Sequence, residues 1–304
     1  MKIKQIPEDF VVKERIKLKI SEGSYSYFKL TKKDWNTLDA VKKIAEKLNK
    51  SLKDIGYAGN KDKNAVTEQV ISIYQINKEK IENLKIKDIS LEFLGNGKDR
   101  INLGDLEGND FIVIVRDLDE KMDIKDIKIK NFFDDQRFGI SGNNFMIGKA
   151  MVKGDFKKAC ELLTLEVDGA NYVNALRTIE RKMLRFYVNA YQSHLFNQAL
   201  KSLDREKLPV PGFLTKFEDE EVKGVYHEIL EKEDIKLKDF IIPSMKEIGS
   251  EGTVRACYVH LDNLKTLWQK DELNEGKNKL RLSFSLNKGE YATMVVKTLL
   301  TKTL

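Results

Sequence analysis

Apolar and polar positions along the chain fall into three successive regimes. Short alternating runs come first. "RIKLKI" (Arg15 to Ile20) alternates apolar and basic residues, as a half-exposed strand does, and the aromatic-rich "SYSYFKL" (Ser24 to Leu30) reads as its hairpin partner across "SEGS". A helix follows: Asn36 or Thr37 can cap it, and Leu38, Val41, Ile44, Ala45 and Leu48 recur on one face. Ser51 can cap one more helical turn, which Gly56 ends. "VTEQVISIY" (Val66 to Tyr74), rich in β-branched residues, then reads as a strand, and "ISLEFLGNG" and "DFIVIVRDL" read as further strands.

After "NFFDDQRFG" (Asn131 to Gly139) the period lengthens to that of helices. "DFKKACELL" and "NALRTIERKMLRFYVNAYQSHLFNQALKSL" are helical, and in the second Leu184, Val188, Tyr191, Leu195 and Ala199 line one face. "LPVPGF" (Leu208 to Phe213) reads as a rigid connector, and charged, weakly patterned sequence runs from there to about Gly252. Strand character returns with "RLSFSL", followed by an "NKGE" turn and "YATMVVKTLL". There is no internal repeat. Sheet-rich, helix-rich and again strand-rich segments predict an α+β domain interrupted by an insertion, not an alternating parallel βαβ fold.

Composition narrows the function classes. The 304 residues suffice for one large domain or two ordinary ones, and 41% hydrophobic residues can supply a core. A formal charge of +6 suits an acidic partner such as nucleic acid. Cys160 and Cys257 make no disulfide framework, which implies a reducing, cytoplasmic setting. His194, His227 and His260 lack ligand spacing, and no GxGxxG or Walker loop is present, so neither a metal site nor a nucleotide cofactor is expected. The longest apolar run, "FIVIV", is too short to span a bilayer, and "MKIKQIPEDF" lacks the apolar stretch of a signal peptide.

Three stretches carry candidate chemistry. "GYAGNKDKNAVTEQ" (Gly56 to Gln69) sets Asp62 between Lys61 and Lys63, in a glycine-punctuated loop before a strand. Such an aspartate can simply bond its own turn. It can also be a carboxylate held ionised by cations, poised as nucleophile or base and attractive to a phosphate-bearing substrate. In "NFFDDQRFG", Phe132, Phe133 and Phe138 can be core residues, with Arg137 paired to an aspartate; or an aromatic stacks on a base while Asn131 bonds a ribose or base edge. In "PEDFVVKE", preceded by Lys4, Pro7 reads as a turn and Phe10 as the start of a strand.

Together, "KQIPEDFVVKE", "GNKDKNAVTEQ", "NFFDDQRFG" and "FSLNKGEYAT" resemble, in order, the motifs of the TruD-type RNA pseudouridine synthases. That family's pattern is roughly K-x-x-P-E-D-F-x-V-x-E, then G-x-K-D-x-x-A-x-T-x-Q, N-x-F-x-x-Q-R-F-G and F-x-L-P-x-G-x-F/Y-A-T. The resemblance covers nearly the whole chain. It implies a pseudouridine synthase fold with a mixed, mostly antiparallel sheet and a central cleft, formed by 1–155 and 267–304 and interrupted by a family-specific α+β domain at 156–266. It implies an isomerase acting on tRNA, at uridine 13 in the D-arm region, as a monomer without cofactor or metal. Asp62 would be the catalytic aspartate and Lys4 its electrostatic partner. Phe10 would line the uridine pocket, Asn131 and Phe133 would contact the target nucleotide, and Tyr291 would be the last substrate-contacting aromatic. Asp134 stands where the family usually has Gly, Asn287 where it has Pro, and Lys297 where Arg is common. A non-catalytic RNA-binding protein on the same fold is the alternative. An aspartate-nucleophile hydrolase is disfavoured, because the Asp62 loop carries no cluster of metal-ligating carboxylates.

Overall fold

The computed structural model describes residues 1–76, 78–82, 84–124, 128–139 and 142–301. In chain order the strands are β1 (Lys2–Ile3), β2 (Phe10–Arg15), β3 (Tyr25–Lys33), β4 (Ile55–Tyr57), β5 (Val66–Tyr74) and β6 (Ile89–Gly97). They continue with β7 (Gly108–Leu118), β8 (Lys207–Val210), β9 (Thr253–Ala256), β10 (Asp262–Lys270) and β11 (Asn278–Asn287). The chain divides into two compact units. The first comprises Met1–Asp126, His260–Ala292 and Leu299–Leu304, the second Ile127–Val259 and Thr293–Thr298. The insertion expected at 156–266 overlaps the second unit, whose main segment runs from 127 to 259.

In the first unit, the described strands form one sheet in the order β10-β11-β7-β2-β5-β3-β6, with β1 paired to β7 and β4 to β5. Every pairing is antiparallel except β2 with β5. The sheet is thus mixed and mostly antiparallel, the α+β arrangement expected. The helix Thr37–Leu48 is capped by Asn36, whose side chain accepts the Asp39 N–H, and it buries Ala40, Val41, Ile44, Ala45 and Leu48. Val41, Ile44, Ala45 and Leu48 pack with Phe28, Leu30, Ile55, Ile71 and Ile73 of the sheet.

The expected hairpin of Arg15–Ile20 with Ser24–Leu30 does not form. Both edges of β3 are taken, by β5 and β6, so no edge is left for it. The strand lies earlier, at Phe10–Arg15, between β5 and β7. Ile16 and Leu18 instead cover a small apolar cluster around Tyr27, Ala58, Val70 and Ile101. Leu38, expected on the buried helix face, is exposed. Gly56 does not end a helix: it sits inside β4, where an added Cβ would lie 2.2 Å from the Ile101 carbonyl oxygen.

The second unit is built around the helix Arg181–Ser202. Leu184, Val188, Tyr191 and Leu195 pack with Ile147, Met151, Phe240 and Met245, while Phe196, Ala199 and Leu200 pack with Leu208, Val222, Tyr226 and Cys257. The single helix expected from Asn174 is broken. Tyr172–Arg177 stops at Thr178, whose hydroxyl satisfies the Ala175 carbonyl, and Glu180 is extended (ψ 131°) before the next helix starts. The stretch before Gly252, weakly patterned in sequence, holds the helix Glu220–Glu233, capped by Asp219 and buried at Val222, Tyr226 and Leu230. "LPVPGF" is in part strand: β8 pairs with β9. Among the described residues no helix is long and apolar enough to cross a membrane.

Candidate active site

Two of the sequence motifs meet in the first unit. Asp62 lies on the loop between the paired strands β4 and β5. Lys4 lies on the link from β1 to the short 3-10 turn Pro7–Asp9 that leads into β2. Its ammonium is 2.6 Å from Asp62 Oδ2 and sits 3.9 Å from the centroid of the Phe10 ring. Phe10 is buried and stands edge-on to Phe111, centroids 6.0 Å apart. The Asp62 side chain stays 39% exposed, so its carboxylate is open to a ligand even while paired.

The N-terminal link is held by the "PEDF" aspartate. Lys4 has φ +59°, a left-handed conformation unusual for a lysine. The next two backbone N–H groups, of Gln5 and Ile6, both donate to Asp9 Oδ2. Asp9 is fully buried and receives the Arg116 Nε–H at 2.8 Å. Arg116, also buried, reaches Asp271 at 2.7 Å and Glu272 at 3.0 Å. Despite its burial, hydrogen bonds from the Asp117 and Leu273 backbone, Asn274 and Arg116 hold the Asp271 carboxyl well below the usual range. The Arg116 and Lys279 side chains draw Glu272 down to about 2.

Lys61, beside Asp62 in sequence, does not serve its carboxylate. It turns inward: its ammonium pairs with the fully buried Glu14 carboxylate at 2.9 Å, and its N–H donates to Thr37 Oγ1. Lys63, on the other side, is exposed. A lysine distant in sequence joins the site. Lys32 is buried, and its ammonium donates to the Asp62 backbone carbonyl at 3.2 Å and to that of Trp35. Burial pushes Lys32 down to about 8, with Asp62 opposing the shift and Lys61 adding to it. The site is therefore a half-exposed carboxylate with one lysine on its oxygen and a second fixing its backbone.

The "NFFDDQRFG" motif lies in the second unit. Asn131 is buried; its amide donates to the Ala256 carbonyl at 3.0 Å and its Oδ1 accepts from Arg255 Nη2 at 2.6 Å. The Arg255 guanidinium lies 4.0 Å from the Phe133 ring centroid, and Phe133 meets Phe196 edge-on at 5.5 Å. Phe133 is also tethered by Asn197, which accepts its N–H and donates to its carbonyl. Asp134 does not take the positive φ a glycine would allow. It is buried, and it accepts from the Thr293 hydroxyl and, at 3.3 Å, from the Lys297 ammonium. Two of the three departures from the family pattern, Asp134 and Lys297, are thus one ion pair.

Similarity to known proteins agrees with these motifs. The family model described as tRNA pseudouridine synthase D (TruD) matches residues 1–168, 162–209 and 205–299. The chain belongs to the TruD family. The TruD named from Aquifex aeolicus is 30% identical, over 98% of each chain, and a namesake from Methanocaldococcus jannaschii is 30% identical over 98% of this chain and 91% of its own. A crystal structure titled as the TruD of Methanosarcina mazei superposes with TM-score 0.79 at 26% identity, covering 97% of this chain and 92% of that one.

Of the residues singled out from the TruD resemblance, the first unit brings Asp62, Lys4 and Phe10 together. Tyr291, also of the first unit, is half-buried just before the helix Ala292–Thr301. Asn131 and Phe133 share the second unit. Sequence reasoning missed Lys32, the Glu14–Lys61 pair and Arg255. Arg255 lies 124 positions from its partner Asn131, and no motif marks it.

Proposed function

We propose that this protein converts uridine to pseudouridine in tRNA, with Asp62 as the nucleophile or base. The observation that carries this reading is the close pair of Asp62 and Lys4, each supplied by its own TruD motif and held by buried residues behind it. The reaction breaks the N1–C1′ bond and makes a C5–C1′ bond, so product and substrate are isomers. The Asp62 carboxylate either attacks C1′, and is displaced again when C5 bonds there, or removes the C2′ proton, which is returned to C2′ as the C5–C1′ bond forms. In both routes uracil leaves with the N1 electron pair, turns over, and bonds to C1′ through C5; C5 then gives up its proton and N1 gains one. The Lys4 ammonium balances charge as the base departs. Asn131, Phe133 and Tyr291 are proposed to hold the target nucleotide, and Phe10 to wall the pocket beneath Lys4. The target must leave its stack to reach a carboxylate fixed on a sheet, which favours aromatic surroundings.

The proposed target is uridine 13, and the protein is proposed to act as a cytoplasmic monomer, in keeping with two free, buried cysteines. Residues 156–266, most of which lie in the second unit, are proposed to be the family's insertion. The test is pseudouridine mapping on total tRNA with and without the protein, alongside tritium release from RNA carrying 5-³H-uridine. One new site in the D arm and stoichiometric release are expected. RNA binding without release would leave a non-catalytic binder and overturn the assignment.

A further inference from the structure

We propose that a basic cavity within the second unit is an RNA subsite that seats one phosphodiester, with its nucleotide, of the bound strand. The proposal rests on RNA being the substrate and says which groups of the chain grip it. The cavity measures about 690 Å³, within the range that holds a small ligand. Arg137, Arg181, Arg185, Lys246 and Arg255 line it, against Glu247 and Glu251.

The charge balance at this cavity differs from that at several other arginines of the chain. Arg116, Arg177 and Arg205 all sit in ion pairs with carboxylates. Among the described residues, no ion pair joins Arg137, Arg181, Arg185 or Lys246 to a carboxylate, although all four face one space. Glu247 is already taken by Arg177, and Arg181 Nε donates only to the Glu247 backbone carbonyl. The Arg137 guanidinium lies between the Phe133 and Phe186 rings, 5.4 and 5.3 Å from their centroids, with its Nε buried and without a hydrogen-bond acceptor. Guanidinium groups with no carboxylate bonded to them are suited to a phosphate, whose oxygens accept two parallel N–H bonds. The ring–guanidinium stack offers a flat surface for a base.

The walls are built rather than left to chance. Gln192 is buried, and it bridges two loops by donating to the Pro211 carbonyl at 2.6 Å and accepting from the Ser250 hydroxyl at 2.9 Å. The Phe213 and Leu214 N–H groups donate to the Ser250 and Glu251 carbonyls. The loops approach so closely that a Cβ on Gly212 would lie 2.2 Å from the Gly252 nitrogen. The loops behind the cationic groups thus form a fixed wall that has little to reorganise on binding.

The test uses an unmodified tRNA transcript and the full chain. Arg181 and Arg185 are exposed, so the double variant Arg181→Ala/Arg185→Ala folds with an unchanged melting temperature. It is expected to raise Kd by roughly tenfold or more and to lower the slope of log Kd against log salt by about two, one for each phosphate no longer neutralised. KM should rise by more than kcat falls. Phosphate-ethylation interference seen with the wild type should vanish at one or two phosphates. The control Lys223→Ala, on the same unit, should leave Kd as it was. Unchanged Kd, slope and interference in the double variant would overturn the subsite, even with pseudouridine formed normally. Tight, salt-dependent tRNA binding that responds to the double variant, without pseudouridine formation, would uphold the subsite and sink the proposed activity instead.

Discussion

Asp62 combines exposure with anchorage, and this makes its role separable from folding. Its side chain is 39% exposed, while its backbone carbonyl is gripped by the buried Lys32 ammonium. Asp62→Asn keeps the shape and removes the charge, so turnover should fall by several orders of magnitude with the melting temperature little changed; tritium release and thermal unfolding on one preparation check both. Lys32 gives a second residue-scale expectation. Burial depresses it in the folded state, to about 8, below its ordinary value of 10.5. Between those values the unfolded chain binds the extra proton, so its contribution to stability rises with pH across that window. Urea unfolding of wild type should show this rise from about pH 8 upward, and Lys32→Met should flatten it. An identical pH profile in the variant would mean that Lys32 is not the group responsible.

At the scale of elements, the link that carries Lys4 depends on a buried ionic cluster centred on Arg116 of the neighbouring strand β7. Asp9 caps the link through the Gln5 and Ile6 N–H groups, and Arg116 of β7 fixes Asp9 and Asp271 together. Arg116→Met would leave two buried carboxylates unpaired, which costs about 3–5 kcal/mol; chemical denaturation measures it. The cluster also has a pH signature. The depressed Asp271 and Glu272 carboxyls stabilise the fold above their unfolded range, and that contribution is lost as pH falls through their lowered folded values. The variant should lose less stability than wild type on acidification below about pH 4. None of this cluster was legible in sequence, because Arg116, Asp9 and Asp271 are joined only once β2, β7 and the β10–β11 turn are side by side. What was legible was local. β5 and β6 occupy the stretches that read as strands, and Asn36 caps the helix as its spacing suggested. The hairpin at Arg15–Ile20 failed because alternation cannot reveal that both edges of β3 are already filled. The helix Glu220–Glu233 escaped because its buried face is only Val222, Tyr226 and Leu230 amid charged residues. Asp62 and Lys4 could be named from motifs alone; Lys61 could not be assigned, because only the fold shows that it turns to Glu14.

At the scale of the whole molecule, a formal charge of +6 on 304 residues is modest, and its placement matters more than its size. Lysines surround Asp62 in the first unit, and arginines line the cavity in the second. An RNA long enough to meet both is bound by linked contacts, and the second contact is made at high effective concentration. A short uridine-containing strand offers fewer phosphates to these groups. Folded tRNA should therefore bind more tightly than a strand of about five nucleotides and show the steeper salt slope, since more phosphates are neutralised. Losing Arg181 and Arg185 should hurt tRNA far more than the short strand and narrow the gap between them. Competition binding at two salt concentrations, with both RNAs and both proteins, decides it. If the double variant weakens the two RNAs by the same factor, both use the arginine cavity equally. The preference for folded tRNA would then have to come from contacts to the first unit alone.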